Sequence, residues 1–302
     1  MQLPPFLKKG NTIAITCPSG FLDKKIALEA ASHLKDWGFN VLLGDTFDKS
    51  DNYFSAKDDL RTKDLQKFLD DPNIHAILMG RGGYGMSRII DQLDFSKFIA
   101  KPKWLWGFSD ITVIHNHIQT NFGIASLHGP MCSSFTKENI NKDFLKSVKA
   151  ILSGESISYP VPSHPLNISG KANGILVGGN LAMLAHLSGS VSAINTKNKI
   201  LFIEDIGEHL YNIDRMLYNL KRSGVFNNIL GVICGGFTDT EDTTRPFGQN
   251  IYELLLYHFS DLNIPVVFDF PSGHIDENYP LCFGNLYEMN VNKKKTMVKC
   301  IF

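Results

Sequence analysis

The chain has 302 residues, 43% of them hydrophobic and 20% charged, which suits one large or two moderate globular domains with a sizeable core. Thirty basic residues balance thirty acidic ones without a basic cluster, which argues against a nucleic-acid partner. The longest apolar runs are strand-sized, far short of the roughly 20 residues that a membrane helix needs, so a membrane protein is not expected either.

The first ten residues contain lysines but no apolar signal core or small-residue cleavage site, so we expect a cytoplasmic protein. The cysteines are odd in number and widely spaced, which argues against a disulfide framework or a structural zinc site. His115 and His117, two apart on a predicted helix, make a poor metal pair. Most of the five cysteines are therefore expected to be buried small hydrophobic residues in a reducing compartment: Cys17, Cys132, Cys234, Cys282 and Cys300.

Strand-sized apolar runs alternate with helical patterns in the first half of the chain. The predicted strands are residues 11–16, 40–43, 74–79 and 104–108. The predicted helices are residues 23–38, 56–70, 86–93 and 110–120. This alternation is typical of a parallel sheet with right-handed crossovers.

The composition changes between Ser153 and Gly170, where three prolines and four serines stand without a helical period, as in an inter-domain linker. Residues 174–187 open with a glycine turn and are predicted to become a helix. Further on, the predicted elements are strands at 199–203, 230–234 and 264–270, helices at 212–223 and 247–259, and short antiparallel strands in the last twenty residues. We predict two α/β domains with a cleft between them, at residues 1–153 and 171–302, joined by a linker at 154–170.

Residues 80–85, Gly-Arg-Gly-Gly-Tyr-Gly, fit the G-x-G-x-x-G pattern between a predicted strand and a predicted helix. Alone, this pattern predicts a dinucleotide site, because its glycines let the backbone approach a pyrophosphate. However, it follows the third strand rather than the first, and no acidic residue ends the next strand, where a ribose would be held. The alternatives are a tight glycine turn, or a loop whose free N–H groups face a ligand or an oxyanion.

Ser109 stands where a predicted strand turns into a helix. Serine is favoured there as an N-cap, because its oxygen accepts a backbone N–H. It would equally suit a nucleophile exposed at the carboxyl edge of a sheet, beside the N–H groups of a new helix. Ile111 replaces the second glycine of the lipase-type G-x-S-x-G pattern, so that specific motif fails. The residue alone leaves a cap and a nucleophile both open.

A nucleophilic serine needs an imidazole base and a group that orients the imidazole. His128 is predicted in a loop at the edge of the first domain, and His274 follows a turn at the carboxyl edge of a strand, where α/β sheets place ligands. Glu204, Asp205 and Asp239 stand at similar edges, and each could equally be a helix cap or form a loop ion pair. The order Ser…Glu…His matches that of α/β-hydrolases, although order alone is weak evidence.

Together these segments resemble the serine LD-carboxypeptidases (muramoyltetrapeptide carboxypeptidases). Any one stretch is weak, but seven in the right order cover nearly the whole chain. The matching stretches are residues 80–85, 107–110 (Gly-Phe-Ser-Asp), 126–130 (Ser-Leu-His-Gly-Pro), 178–181 (Gly-Gly-Asn-Leu), 203–205 with 214–217, 235–237 and 273–274.

The resemblance implies a Rossmann-like, parallel-sheet N-terminal domain and a mixed, β-rich α/β C-terminal domain, commonly in a homodimer. By position, Ser109 corresponds to the nucleophile, and Glu204 and His274 of the other domain complete the triad. The oxyanion hole corresponds to the backbone N–H groups of Gly83 and Asp110. No metal or organic cofactor is implied.

The implied activity is release of the terminal D-Ala from murein tetrapeptide, at its bond to an L-configured diaminopimelate centre, during cell-wall recycling in the cytoplasm. Arg81 could hold the terminal carboxylate and is left outside the catalytic set. Within the same family, the chain also resembles microcin-immunity peptidases, which cleave peptidyl or aminoacyl nucleotides with the same triad. More distant alternatives are a nucleotide-binding oxidoreductase built on residues 80–85 and a non-catalytic ligand-binding protein.

Overall fold

Two β-sheets with helices packed on them organise the chain in a computed structural model, which describes residues 1–161, 163–292 and 295–302. The strands within this part of the chain are β1 Thr12–Thr16, β2 Asn40–Leu43, β3 Ile74–Met79, β4 Trp104–Gly107, β5 Ser126–His128, β6 Ile157–Ser158, β7 Gly170–Asn180, β8 Lys199–Ile206, β9 Gly231–Thr238, β10 Val266–Val267, β11 Leu281–Phe283, β12 Leu286–Val291 and β13 Thr296–Ile301. The α-helices are α1 Lys24–Asp36, α2 Asp58–Asp70, α3 Met86–Ile89, α4 Ser96–Ala100, α5 Thr112–Phe122, α6 Asp143–Leu152, α7 Leu181–His186, α8 Leu210–Arg222 and α9 Ile251–Phe259.

The first sheet has the strand order β11-β5-β4-β3-β1-β2 among the described residues. Its first five strands along the chain are parallel, as the alternation of strands and helices predicts. The carboxyl ends of β3 and β4 therefore lie side by side, which brings the loop after Met79 next to the turn after Gly107. Strand β11 comes from the second half of the chain and pairs antiparallel with β5, so the two halves share this sheet.

The second sheet has the order β10-β9-β8-β7-β12-β13-β6 in the described part of the chain. Strands β7 to β10 are parallel, whereas β12, β13 and β6 are antiparallel. This is the mixed, β-rich second sheet that the resemblance implies, and the two-part α/β fold is confirmed. The connection from β10 to β11 runs from the second sheet to the first.

The prediction for residues 174–187 is wrong in its first half, because Gly170–Asn180 is an eleven-residue strand and the helix begins only at Leu181. Glycine is a poor strand former by propensity, but here close packing requires it. A Cβ on Gly174 would lie 2.8 Å from a Leu230 side-chain carbon, and one on Gly178 would lie 2.0 Å from the Phe202 carbonyl oxygen. Neither neighbour can be inferred from the local sequence.

Smaller corrections concern the ends of elements. The strand predicted at 264–270 is only Val266–Val267, and the helix predicted at 247–259 begins at Ile251. His128, predicted in a loop, is the last residue of β5. In the predicted linker, Ile157–Ser158 pairs with β13 and Ile168 bridges Val266, while Pro162 lies outside the described residues.

The core consists of three apolar clusters. The largest lies under α1 and α6 and continues between the sheets, where Trp106 of β4 and Phe202 of β8 belong to one cluster. A second cluster joins α2 and α5 to the opposite face of the first sheet, and a third packs α7, α8 and α9 on the second sheet. The five cysteines are buried and unpaired, as expected. None of the helices in the described residues has the length and apolar character to cross a membrane.

Candidate active site

Ser109 lies at the turn between β4 and α5, at the carboxyl edge of the first sheet. It begins a short 3-10 turn, Ser109–Ile111, that leads into the helix. Its φ of 65° is left-handed, which is uncommon for a residue other than glycine and marks a sharp strand-to-helix turn. Its side chain caps neither the turn nor the helix, and it makes no hydrogen bond with the described residues. Ser109 is half-buried, and its hydroxyl is unengaged, unlike that of an N-cap.

The backbone strain at Ser109 predicts a stability effect. Ser109→Gly is expected to raise the free energy of unfolding by about 1 kcal/mol, because only glycine adopts a left-handed φ without steric cost. Urea denaturation would measure the change. Ser109→Ala keeps the Cβ at the same φ and serves as the control, so equal free energies for the two variants would contradict the strain.

The glycine loop at residues 80–85 packs directly on Ser109. A Cβ on Gly82 would lie 2.8 Å from Ser109 Cβ and 3.1 Å from its Oγ, so this approach requires glycine. Within the described residues, the N–H groups of Gly83 and Asp110 donate to no protein acceptor. They lie on the two segments that meet at Ser109. The oxyanion hole assigned to them stays a prediction.

The same loop does not have the setting of a dinucleotide site. The helix that follows it, Met86–Ile89, has a single turn. The Met86 N–H, which would face a pyrophosphate in that fold, donates to Asp110 Oδ2 at 2.8 Å, and Ser19 Oγ donates to the same oxygen at 2.6 Å. Residue 110 thus ties the turn that carries Ser109 to the glycine loop and to the loop after β1. This role of the Asp110 side chain is not apparent from the sequence, because its partners are distant along the chain.

His274 and Glu204 form a hydrogen-bonded pair from the second half of the chain. Glu204 is fully buried in β8, and its Oε2 accepts a hydrogen bond from His274 Nδ1 at 2.7 Å and another from the His274 backbone N–H at 3.2 Å. A Cβ on Gly273 would lie 2.7 Å from the same oxygen, so glycine is needed before the histidine. With Nδ1 donating to the carboxylate, Nε2 is left as the proton acceptor.

Two opposing effects set the pKa of His274. Burial acts to lower it, whereas the hydrogen bond and the negative charge of Glu204 act to raise it and together outweigh burial. The pKa of His274 therefore lies above the ordinary histidine value. A raised pKa makes Nε2 a better proton acceptor, which suits a general base.

The connection from β10 to β11 carries His274 between the sheets and brings it to the Ser109 turn. The ring of Phe108, the residue before Ser109, lies 4.8 Å from the His274 ring between centroids. No hydrogen bond joins Ser109 Oγ to His274 among the described residues, and such contacts are often long in the absence of substrate. The structure thus brings the predicted Ser109, Glu204 and His274 into one region, although their catalytic roles stay predictions.

The other candidates lie in different environments. Asp205 points away from Glu204 and accepts the Ala182 N–H at 2.9 Å, and burial, together with the charge of Glu204, raises its pKa to about 7. Asp239 is exposed. His128 is fully buried among phenylalanine rings, and burial lowers its pKa well below the ordinary value. Arg81 is exposed and donates to the Phe21 carbonyl at 2.8 Å.

No group of three or more residues that could hold a metal ion occurs in the described part of the chain. His115 and His117 point to different partners, since His115 Nε2 lies 2.8 Å from the Gly107 carbonyl and His117 Nδ1 lies 2.8 Å from Ser192 Oγ.

Models of one protein family match both halves of the chain. A family model of the LD-carboxypeptidase N-terminal domain matches residues 13–129, and a model of the LD-carboxypeptidase C-terminal domain matches residues 173–289. A probable murein peptide carboxypeptidase of Bacillus subtilis (strain 168) is 32% identical, covering 98% of this chain and 94% of the relative. A murein tetrapeptide carboxypeptidase of Pseudomonas aeruginosa is 27% identical, covering 93% of this chain and 94% of its own length.

Solved structures show the same architecture. A crystal structure of muramoyltetrapeptide carboxypeptidase from Oxalobacter formigenes superposes with a TM-score of 0.86 at 28% identity, covering 97% of this chain and 99% of that one. MccF in complex with glutamyl sulfamoyl guanosine also superposes with a TM-score of 0.86, at 22% identity, covering 99% of this chain and 98% of that one. At that lower identity the likeness is one of fold alone.

Proposed function

The chain belongs to the LD-carboxypeptidase family and is a carboxypeptidase, and from this premise we propose that it releases the terminal D-Ala from murein tetrapeptide by acyl-enzyme chemistry at Ser109. The observation that carries the proposal is the pairing of His274 with the buried Glu204 carboxylate beside the Ser109 turn. The murein substrate is taken from the names of the relatives.

In the proposed first step, Ser109 Oγ attacks the carbonyl carbon of the L-configured centre while His274 Nε2 takes the hydroxyl proton. The bond to the D-Ala nitrogen then breaks, and His274 returns the proton to the departing amine. In the second step, water attacks the acyl carbon while His274 takes a proton from the water. The bond from that carbon to Ser109 Oγ then breaks, His274 returns the proton to Oγ, and the shortened peptide leaves with a free carboxyl group. Glu204 holds the Nδ1–H tautomer throughout and stabilises the imidazolium that forms twice.

The negative charge that develops on the substrate oxygen needs donors fixed in advance. We propose that the unengaged N–H groups of Gly83 and Asp110 supply them. Loss of one such donor typically costs ~2.7–4 kcal/mol of transition-state stabilisation. Asp110 also braces the Gly83 loop through its side chain, so the two donors keep a fixed spacing.

The substrate proposal predicts a stereochemical preference. Wild-type protein is expected to release D-Ala from murein tetrapeptide and to leave intact a stereoisomer with a D-configured centre at the third residue. Chromatography of free D-Ala measures both reactions. No release from the natural tetrapeptide would contradict the proposal, and equal release from the two isomers would contradict its LD specificity.

A second candidate activity is cleavage of peptidyl or aminoacyl nucleotides with the same triad. The observation that favours it is a pair of exposed tyrosine rings, Tyr53 and Tyr84, on the loops around Gly83, which offer surfaces for stacking a base. Trp104 and Trp106 are fully buried and offer none. Hydrolysis of an aminoacyl nucleotide without any release of D-Ala would favour this candidate.

The resemblance implies further properties that we also propose. These are a domain division at 1–153 and 171–302 with a linker at 154–170, assembly as a homodimer, and a place in cell-wall recycling in the cytoplasm. The chemistry above depends on none of them.

A further inference from the structure

The helix that follows Ser109 is hydrogen-bonded directly to the second sheet. Thr112, the first residue of α5, is fully buried, and its Oγ1 accepts the backbone N–H of Asn180 at 3.1 Å. One turn later on the same face, Asn116 Nδ2 donates to the Gly178 carbonyl at 3.2 Å. Two side chains of the Ser109 half thus engage two backbone groups at the end of β7.

Close packing reinforces these hydrogen bonds. A Cβ on Gly179 would lie 2.4 Å from Thr112 Cγ2 and 2.5 Å from Thr112 Oγ1, so the helix rests on the strand where no side chain intervenes. The φ of Gly179 is 142°, which also favours glycine. The segment 178–181, one of the seven stretches that carry the family resemblance, therefore forms a contact between the two halves close to Ser109.

On the β7 side of this contact, Asn180 is linked to the proposed acid and base, Glu204 and His274. Asn180 lies opposite Glu204 in the parallel register of β7 and β8. Its Nδ2 donates to Asp205 Oδ1 at 2.8 Å, so its side chain is joined to the residue after Glu204. The Glu204 side chain in turn holds His274. A short path of hydrogen bonds and backbone connects α5, three residues beyond Ser109, with the acid and base.

We propose that Thr112 and Asn116 are positioning residues, which hold the nucleophile helix on residues 178–180 and so fix the separation between Ser109 and His274. The inference rests on the proposed serine chemistry. This contact lies three residues beyond Ser109, closer along the chain to the nucleophile than the Thr120–Ala193 hydrogen bond at the other end of α5. A misplacement of about 1 Å can lower a rate by about 10²-fold. Loss of the contact therefore acts on the chemical step more than on substrate binding.

The test compares Thr112→Val, Thr112→Ser and Thr120→Val. Valine at 112 keeps the shape but removes the acceptor of the Asn180 N–H, whereas serine keeps the hydroxyl. Thr120→Val is the matched control, because Thr120 is on the same helix and bonds the Ala193 carbonyl at 3.0 Å, but at the end far from Ser109. Each variant is assayed for kcat and KM in D-Ala release.

A second readout does not depend on the identity of the substrate. A fluorophosphonate is attacked by an activated serine, the new bond joins Ser109 Oγ to phosphorus, fluoride leaves, and His274 takes the proton. The rate of this labelling reports the Ser109–His274 geometry even if murein tetrapeptide is not the substrate. Ser109→Ala, which lacks the nucleophile, sets the background.

We expect Thr112→Val to lower kcat and the labelling rate by about 10- to 10²-fold with KM within about twofold of wild type, and Thr112→Ser and Thr120→Val to stay near wild type. Labelling of Thr112→Val at the wild-type rate would overturn the inference, even in a protein that releases no D-Ala. Absence of Ser109 labelling in wild type would overturn the serine chemistry and the inference with it. Should Thr112→Val fail to fold, Asn116→Ala tests the same contact, with the same expected pattern.

Discussion

Ser109→Ala is expected to lower the rate of D-Ala release by about 10⁴- to 10⁶-fold, because no acyl-enzyme forms without the hydroxyl and the members of a triad act as a unit. The free energy of unfolding should change by less than about 0.5 kcal/mol. The Ser109 hydroxyl makes no hydrogen bond with the described residues, and alanine keeps the Cβ that packs on Gly82. Steady-state kinetics and urea denaturation of the same preparation measure the two quantities.

The matched control is Ser133→Ala, which removes an exposed hydroxyl after β5, the strand beside β4 in the first sheet. That variant should keep the wild-type rate. A Ser109→Ala protein with wild-type turnover would remove serine catalysis from consideration. A folded variant with no turnover and an intact Ser133→Ala control would assign the nucleophile.

The position of Ser109 could be predicted from the sequence, but its strain could not. A strand, a glycine and a helix around a serine place the hydroxyl at the carboxyl edge of a parallel sheet. The left-handed φ of Ser109 goes with the way α5 meets the strand, where Ser109 packs on Gly82 and Thr112 packs on Gly179. Those contacts are long-range, so the residue alone left a cap and a nucleophile both open, and only the family resemblance favoured the nucleophile.

The sequence alone could not choose between Glu204 and Asp205, which are adjacent at one strand end. Successive residues of a strand point to opposite faces. The structure turns Glu204 towards the connection that carries His274 and turns Asp205 towards the first turn of α7. The family resemblance pairs Glu204 with His274, and the structure contains a hydrogen bond between them, although the catalytic role of Glu204 stays a prediction. Periodicity gave no basis for this pairing.

The glycine-rich strand β7 is the element for which the local sequence pattern gave the wrong secondary structure. Residues 170–180 show the alternating burial of a strand only in their amino half, and four of the eleven residues are glycine. These glycines are explained by contacts with residues distant in sequence, such as Phe202 and Thr112. A segment whose composition opposes its conformation is often a functional contact, and here it joins the two halves of the site.

Glu204→Gln is expected to lower the rate by about 10²- to 10⁴-fold and to move the acidic limb of the pH profile to lower pH. The proposed base is neutral His274, so activity in the wild type falls as the pH drops through a pKa that lies above the ordinary value near ~6.5. Glutamine removes the negative charge that raises this pKa, while the burial that lowers it remains. The pH dependence of kcat/KM from pH 5 to 9 measures the limb.

Glu208→Gln is the control, because this carboxylate lies four residues further on and bonds Asn212 at 3.1 Å instead of His274. The acidic limb of the pH profile of Glu208→Gln should coincide with that of wild type. A wild-type profile that is flat between pH 5 and 8 would contradict the role of His274 as base. An acidic limb at the same pH in Glu204→Gln as in wild type would contradict the effect of Glu204 on the pKa of His274.

Stability should follow the opposite pH dependence to activity. Because the pKa of His274 is raised in the folded state, protonation of His274 stabilises the fold fully below its unfolded pKa, and this stabilisation is lost as the pH rises through the folded pKa. The difference in unfolding free energy between wild type and Glu204→Gln should therefore be largest at acidic pH and shrink towards alkaline pH. The carboxylate that holds the imidazolium in the reaction thus stabilises the fold most where the resting enzyme is least active.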